Sequence, residues 1–251
     1  MAWAFLGAFG AAIGSFVNVL AYRLPRRESI VRPRSSCTAC RTPIAAYDNV
    51  PVISWIVLRG RCRSCGAHIS IRYPIVEALT AALFVIVGLK IGIKPELLPA
   101  LALVLTLVAA AETDLEKRII PNRLMAPAAV AAVVAWAIAD PGRLPENLIA
   151  GAAAGGLMLV AALAYPAGMG MGDVKLAAVM GLFLGKSVAP GLFIGFAAGA
   201  LVGIGMIAAL GAKARKKGVP FAPFLALGGL AALLWGPAII DWYGHISGIS
   251  G

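Results

Sequence analysis

Apolar residues run in blocks of about 20 along most of this chain, the length that crosses roughly 30 Å of hydrocarbon as an α-helix. Such windows fall near 2–22, 73–93, 97–114, 122–139, 147–167, 174–189, 190–211 and 221–241. They predict about eight transmembrane helices, of which the sixth is the shortest. The one sizeable polar stretch lies between the first two blocks, at 23–72. Beyond it only short turns separate the blocks, among them KPE, IIPNR, DPGRLPE and KKGVPFAP. The pattern implies an all-α polytopic membrane protein with three parts: a first helix (1–22), a polar domain (23–72) and a helical membrane domain (73–251).

Composition agrees. The 251 residues are 61% hydrophobic and 13% charged, about half the charge of an ordinary soluble domain, and mean hydropathy is +0.90. The opening block, MAWAFLGAFGAAIGSFVNVLAYRLPRR, carries its arginines after the apolar run. It is therefore expected to be a retained helix and not a cleaved signal peptide. A net charge of +11 first invites a nucleic-acid reading, but the distribution of charge argues against one. With the amino terminus outside and eight alternating spans, eighteen of the 22 Lys and Arg fall on the inner side, including KARKK from Lys213. Only Lys90, Lys94, Arg143 and Lys186 fall outside. Positive loops stay cytoplasmic, so the asymmetry sets a topology with both termini outward, and the partner expected of this surface is the lipid bilayer, with no nucleic acid. Gly191, Gly195, Gly199 and Gly203 recur every four residues, which marks a helix-packing groove where small residues let backbones approach.

The four cysteines all lie in the polar stretch, as CTAC (Cys37, Cys40) and CRSC (Cys62, Cys65). Two such knuckles at this separation form a tetrahedral thiolate site for Zn2+. The alternative, a pair of disulfides, is disfavoured in a reducing cytoplasm. Four protein ligands leave no open position, so the role expected of the ion is structural: it would supply folding free energy to a small cytoplasmic domain with few large apolar residues. His68, three residues after Cys65, is the alternative ligand, and with four thiolates available it is expected to be a bystander.

The acidic residues are sorted by position. Glu77, Glu112, Asp114, Glu116 and Asp173 fall at inner ends of helices. Asp114 closes the third span, which runs inward; Asp173 opens the sixth, which runs outward, in AGMGMGDVKLAAVMGLFLG. Both therefore reach the same face. If they share a proton, the ionised member activates a water and its protonated partner polarises a scissile carbonyl. Gly170 and Gly172 leave room for an extended peptide backbone. From residue type alone the alternative stands: Asp173 as a helix N-cap, and Asp114 as a solvated helix end paired with Lys117 or Arg118.

Several stretches together resemble the bacterial type IV prepilin peptidases, whose glycine-x-glycine-aspartate site is similar to that of presenilin-type proteases. They are GSFVNVLAYRLP, the tandem cysteine loop with NVPVISWIVLRGRC, ISIRYPIVEAL, DLEKRIIPNRL, GMGMGDVKLAAVMGLFLG and PFAPFLALGG, in family order from Gly14 to Gly229. The resemblance implies an aspartic endopeptidase of the bacterial inner membrane. It would remove the basic leader of type IV prepilins or pseudopilins, of pilus or secretion systems, at the cytoplasmic face. By motif position Asp114 and Asp173 would be its catalytic pair and the four cysteines its zinc site. The family commonly also N-methylates the new amino terminus with S-adenosylmethionine. No glycine-rich nucleotide turn is present to carry that half; Glu77 in YPIVE is the candidate cofactor residue, against a structural pairing with Arg72. The chain departs from the family pattern at Thr38, where proline is common, and at Ala222, where glycine is usual. Neither removes a ligand or an acid. A membrane aspartic peptidase without methyl transfer, or a non-catalytic transporter or scaffold, is the alternative.

Overall fold

Helix α1 (Ala2–Arg23) is a run of apolar and small residues with no proline, and it returns along a helix starting at Arg72. The computed structural model of the protein describes residues 1–32, 34–165, 169–210 and 219–248. Its helices are α1, α2 (Ile53–Val57), α3 (Arg72–Ile91), α4 (Leu97–Lys117), α5 (Asn122–Ala139), α6 (Leu144–Ala164), α7 (Met171–Leu184), α8 (Val188–Leu210) and α9 (Ala222–Ser247). All eight expected apolar blocks are helical, and among the described residues seven apolar stretches are long enough to cross a bilayer. The difference arises because α7, at 14 residues, is continuous with α8 in one 39-residue run. As a straight helix that run would extend about 58 Å, roughly twice a hydrocarbon core. Gly185 breaks it with φ 55°, a backbone angle disfavoured for residues with a Cβ, and a Cβ there would also meet Asn147 Oδ1 and Glu146 Oε1 at 2.7 Å. The basic run Lys213–Lys217, which contributes to the expected topology, lies outside the described residues.

The chain divides into two compact units, Met1–Lys94 and Pro95–Gly251. In the first, α1 and α3 pair antiparallel through small residues. A Cβ on Gly14 would lie 2.7 Å from the Cα of Glu77, and one on Gly10 would lie 2.9 Å from that of Ala81. Asn18 Nδ2 donates to Tyr73 O at 3.1 Å, so the one buried amide in α1 has a partner. The polar segment between these helices holds α2, a 3-10 turn (Ala46–Asn49) and two short cysteine turns, each closed by an antiparallel bridge, Ser36 with Pro43 and Arg61 with His68.

In the second unit α4 is the buried centre: Leu103, Val104, Leu107, Ala109 and Ala110 are all but inaccessible. It packs against α5, α7 and α9, while α6 lies along α7 and α8 along α9. The glycine stripe of α8 faces α9 at three of its four positions. Gly191, Gly195 and Gly199 meet Gly228, Phe224 and Phe221, and among the described residues a Cβ on Gly203 would meet nothing within 4 Å. A Cβ on Gly228 would overlap the Gly191 carbonyl oxygen, so the two backbones touch. Trp136 Nε1 of α5 donates to Phe183 O of α7 at 3.0 Å. That bond satisfies both a buried indole and a carbonyl near the end of α7.

Candidate functional site

Asp114 and Asp173 both belong to the second unit. The chain places Asp114 in the last turn of α4, where the helix ends because Arg118 turns left-handed (φ 55°) and Pro121 follows. Buried to 7% exposure, the Asp114 carboxylate is met from another helix: its Oδ2 accepts the Ala222 N–H at 3.0 Å, and the Phe221 amide also bonds to it. These amides open α9, where the first N–H groups of a helix lack intrahelical partners. Pro223 in this first turn marks that start in the sequence. Arg118 also acts on Asp114 electrostatically, so both an ionic neighbour and a helix start bear on this acid.

Asp173 is the third residue of α7. Gly170 N–H donates to its Oδ2 at 3.2 Å, and its own N–H donates to Gly170 O at 3.0 Å. This reciprocal pair is a capping arrangement, with a negative side chain at the positive end of the helix. The capping reading and a chemical role for Asp173 are therefore compatible. Helices α4, α7 and α9 pack pairwise, and Asp114 and Asp173 interact electrostatically. Two acids from distant parts of the chain thus lie on packed helices within electrostatic range of each other. Of the two glycines, Gly170 is exposed and a Cβ there would make only ordinary contact with Asp173. At Gly172 the space a side chain would need is filled by Ile120, 3.0 Å from an ideal Cβ. Gly172 thus serves the packing of α7 on the segment after α4, and the open approach lies at Gly170. Lys175 Nζ donates to Asn122 Oδ1 at 2.7 Å, tying the same end of α7 to the start of α5.

The four cysteines form a second cluster, in the first unit. Their Sγ atoms lie within 4.8 Å of one another, and Cys37 and Cys65 are 3.8 Å apart. A tetrahedron with metal–sulfur bonds of about 2.3 Å has S···S edges of about 3.8 Å, so the donor set and spacing fit one divalent ion. The two turns are equivalent: Cys37 N–H bonds Thr42 O as Cys62 N–H bonds Ala67 O, and Arg41 N–H bonds Cys37 O as Gly66 N–H bonds Cys62 O. His68 lies in the bridge beside the second turn and is not one of the four clustered ligands.

Without an ion the thiols differ. Hydrogen bonding to Thr42 is the main cause that lowers Cys40 to about 6. The Ala67 amide pulls Cys65 down, but hydrogen bonds shared with the other thiols, together with burial, push it up to about 11. Four thiolates this close repel unless a cation sits between them. Arg63 braces the second turn with two bonds to Asp48, at 2.8 and 2.7 Å, which hold the Asp48 carboxyl below its usual value.

The equivalent positions Arg41 (φ 58°) and Gly66 (φ 71°) are both left-handed. A non-glycine residue there costs roughly 1–2 kcal/mol. Arg41→Gly is therefore expected to stabilise the metal-loaded turn by about 1 kcal/mol and Gly66→Ala to destabilise it by a similar amount, read as opposite shifts in the chelator concentration that strips the metal.

Glu77 is buried in α3. Its Oε2 accepts the Val52 N–H at 2.7 Å and its carboxylate bonds the Ser15 side chain. It joins α1, α3 and the polar segment; a backbone amide and a hydroxyl are its partners. Sequence reasoning did not anticipate these partners, nor the α9 amides on Asp114, Ile120 against Gly172, or the Lys175–Asn122 bond. The only linear signal among them was the proline at the start of α9.

Comparison with known proteins adds to this geometry. Residues 8–91 match the model of the bacterial peptidase A24 N-terminal domain, and residues 101–204 match the type IV leader peptidase family. A protein of Bacillus subtilis (strain 168) named prepilin leader peptidase/N-methyltransferase is 38% identical over 94% of this chain and 95% of its own length. One of the same name from Aeromonas salmonicida (strain A449) is 38% identical over 94% of this chain and 91% of its own. Another, from Myxococcus xanthus (strain DK1622), is 40% identical over 82% of this chain and 64% of its own. No solved structure matches.

Proposed function

This chain belongs to the type IV leader peptidase family, and from that premise we propose that Asp114 and Asp173 are the catalytic pair of a membrane aspartic endopeptidase acting on prepilins or pseudopilins. The observation that carries the reading is that two helix-end carboxylates on the packed helices α4 and α7 lie within electrostatic range of each other, one of them anchored by the start of α9.

The chemistry follows from one proton shared between two acids. The ionised carboxylate takes a proton from a water, whose oxygen attacks the scissile carbonyl carbon. The protonated partner hydrogen-bonds the carbonyl oxygen as it gains charge. Collapse of the tetrahedral intermediate breaks the C–N bond, and a proton from the pair goes to the leaving amine. The Ala222 and Phe221 amides and the Gly170 amide fix the two carboxylates before substrate arrives, so less reorganisation is needed at the moment of reaction. The exposed Gly170 backbone gives an extended peptide its approach. A prepilin carries a basic leader ahead of a hydrophobic helix, so its cleavage point lies at a membrane surface, where acids at helix ends can reach it. The charge asymmetry of the loops supports a cytoplasmic position for that surface.

We assign structural Zn2+ to Cys37, Cys40, Cys62 and Cys65, on the strength of thiolate donors at tetrahedral spacing. The names of the relatives support methyl transfer as the second activity, with S-adenosylmethionine as methyl donor. Glu77 remains the candidate residue for that half, but its carboxylate is committed to the Val52 amide and Ser15, so no step is drawn through it.

Intact-mass measurement after incubation with a prepilin tests the whole reading. Cleavage should appear without cofactor, and a methyl increment of about 14 Da on the new amino terminus only with S-adenosylmethionine, the methyl being the group that cofactor carries. An uncut prepilin would refute the peptidase assignment, and an unmethylated product would restrict the enzyme to proteolysis.

A further inference from the structure

Helix α2, in the first unit, is only five residues long, yet its orientation is fixed from several sides. Val52 N–H, just before it, bonds Glu77 at 2.7 Å. Ser54 Oγ accepts from Val50 N–H at 3.1 Å and donates to Tyr47 O at 3.0 Å. Trp55 Nε1 donates to Ile69 O at 3.0 Å, and its ring lies against Gly60. With Ser54 and Trp55 so engaged, positions 53, 56 and 57 share the opposite face, as residues three and four apart do on a helix. Ile53, Ile56 and Val57 are 61%, 62% and 69% exposed. Water is a poor neighbour for three large apolar side chains held rigidly outward.

The height of this face is set by the Glu77 contact. Glu77 lies five residues beyond Arg72, the first residue of α3, hence about 7.5 Å along that helix at 1.5 Å per residue. Because α3 is long and apolar enough to span a membrane from Arg72 to Ile91, a segment bonded to Glu77 falls inside the end of that span and not above it. Helices that lie in the plane of a bilayer bury their apolar face about 5–10 Å into the boundary between headgroups and acyl chains. Beside the face are cations: Arg59 and Arg61 follow α2 and are exposed. Acids offset them little, since Asp48 is held by Arg63 and Glu28 is the other acid before Glu77.

We propose that α2 is an interfacial anchor: Ile53, Ile56 and Val57 insert at the headgroup–acyl boundary of an anionic bilayer, with Arg59 and Arg61 on its phosphates. The occupant of this face is lipid because the depth is dictated by a spanning helix of the same unit and the flanking charge complements anionic headgroups. The anchor holds the cysteine turns at a fixed height over the membrane.

The full-length, zinc-loaded protein is reconstituted in phosphatidylcholine vesicles containing phosphatidylglycerol and a phosphatidylcholine with a diazirine near the ester end of one acyl chain. After irradiation, mass spectrometry maps the labelled residues. Residues 53–57 are expected to label at the level of the first turns of α3 and several-fold above residues 37–44. Ile56→Asp with Val57→Asp should abolish this labelling while zinc content stays unchanged. Replacing phosphatidylglycerol with phosphatidylcholine should reduce it. Labelling of residues 53–57 no greater than that of 37–44 in the unaltered protein overturns the proposal, as do crosslinks from this segment to a second copy in its place. Labelling indifferent to phosphatidylglycerol overturns the role given to the arginines.

Discussion

Asparagine at position 114 or 173 is expected to lower prepilin cleavage on the order of 10⁴-fold or more, the loss typical when one member of a unit of catalytic groups is removed. The substitution is informative because it changes so little else. An asparagine oxygen can still accept the Ala222 N–H at 114, or the Gly170 N–H at 173, so the helix ends keep their shape. What is lost is the exchangeable carboxyl proton: neither a base for water nor an acid for the carbonyl remains at that position. The double variant should be no worse than either single one, because the pair acts as one unit. Cleavage is read by intact mass, with thermal unfolding and zinc content as controls. An asparagine variant that still processes prepilin removes that residue from the mechanism.

Cys62→Ser is expected to abolish stoichiometric zinc binding and loosen the segment between α1 and α3. A structural zinc of this type contributes about 10–16 kcal/mol of binding free energy at neutral pH. The segment's other supports, among them the Arg63–Asp48 pair, the Trp55–Ile69 bond and the Glu77–Val52 bond, are individual polar contacts. Metal analysis and limited proteolysis between residues 35 and 70 read the outcome; full zinc occupancy in the variant would end the assignment. pH gives an independent check. Zinc needs thiolates, so affinity falls as pH falls. The fall should steepen below about pH 6, where Cys40, the thiol lowered to about 6, also takes up a proton in competition with the metal. Asp48 acts in the same direction at lower pH. Its folded carboxyl is held below the usual value by Arg63, so its stabilisation is present above the unfolded value and is lost as pH falls through the folded one.

Much of this was readable along the chain, and where reading failed the failures share a cause. The blocks of apolar residues give the membrane helices because each satisfies its own backbone hydrogen bonds, a requirement that lipid imposes locally. The CTAC and CRSC knuckles announce a tetra-thiolate cluster because two ligands three apart on one turn already face one ion. Asp114 and Asp173 are legible as neighbours in depth, since one ends the third apolar block and the other begins the sixth, and alternating spans bring those two ends to one face. The glycines were less legible. Gly191, Gly195 and Gly199 pack as their spacing implies, but a Cβ on Gly203 in the same stripe would meet nothing within 4 Å among the described residues. Gly172, which looks like room for substrate, is room for Ile120. Glu77, the candidate cofactor residue in YPIVE with Arg72 as its alternative partner, has the Val52 amide as a partner that the sequence does not signal.

By itself, then, the sequence determined the order of the apolar helices, the acids at their ends and the pairing of four cysteines that the fold clusters. These depend on runs and spacings within one turn or one span, where covalent connection leaves few alternatives. Only the tertiary structure decided which groups support them. The bond from Ala222 to Asp114 joins residues 108 apart, that from Lys175 to Asn122 residues 53 apart, and that from Val52 to Glu77 residues 25 apart. Partners at such separations are chosen by how close one helix can come to another, and that is set by side-chain volumes on both surfaces at once.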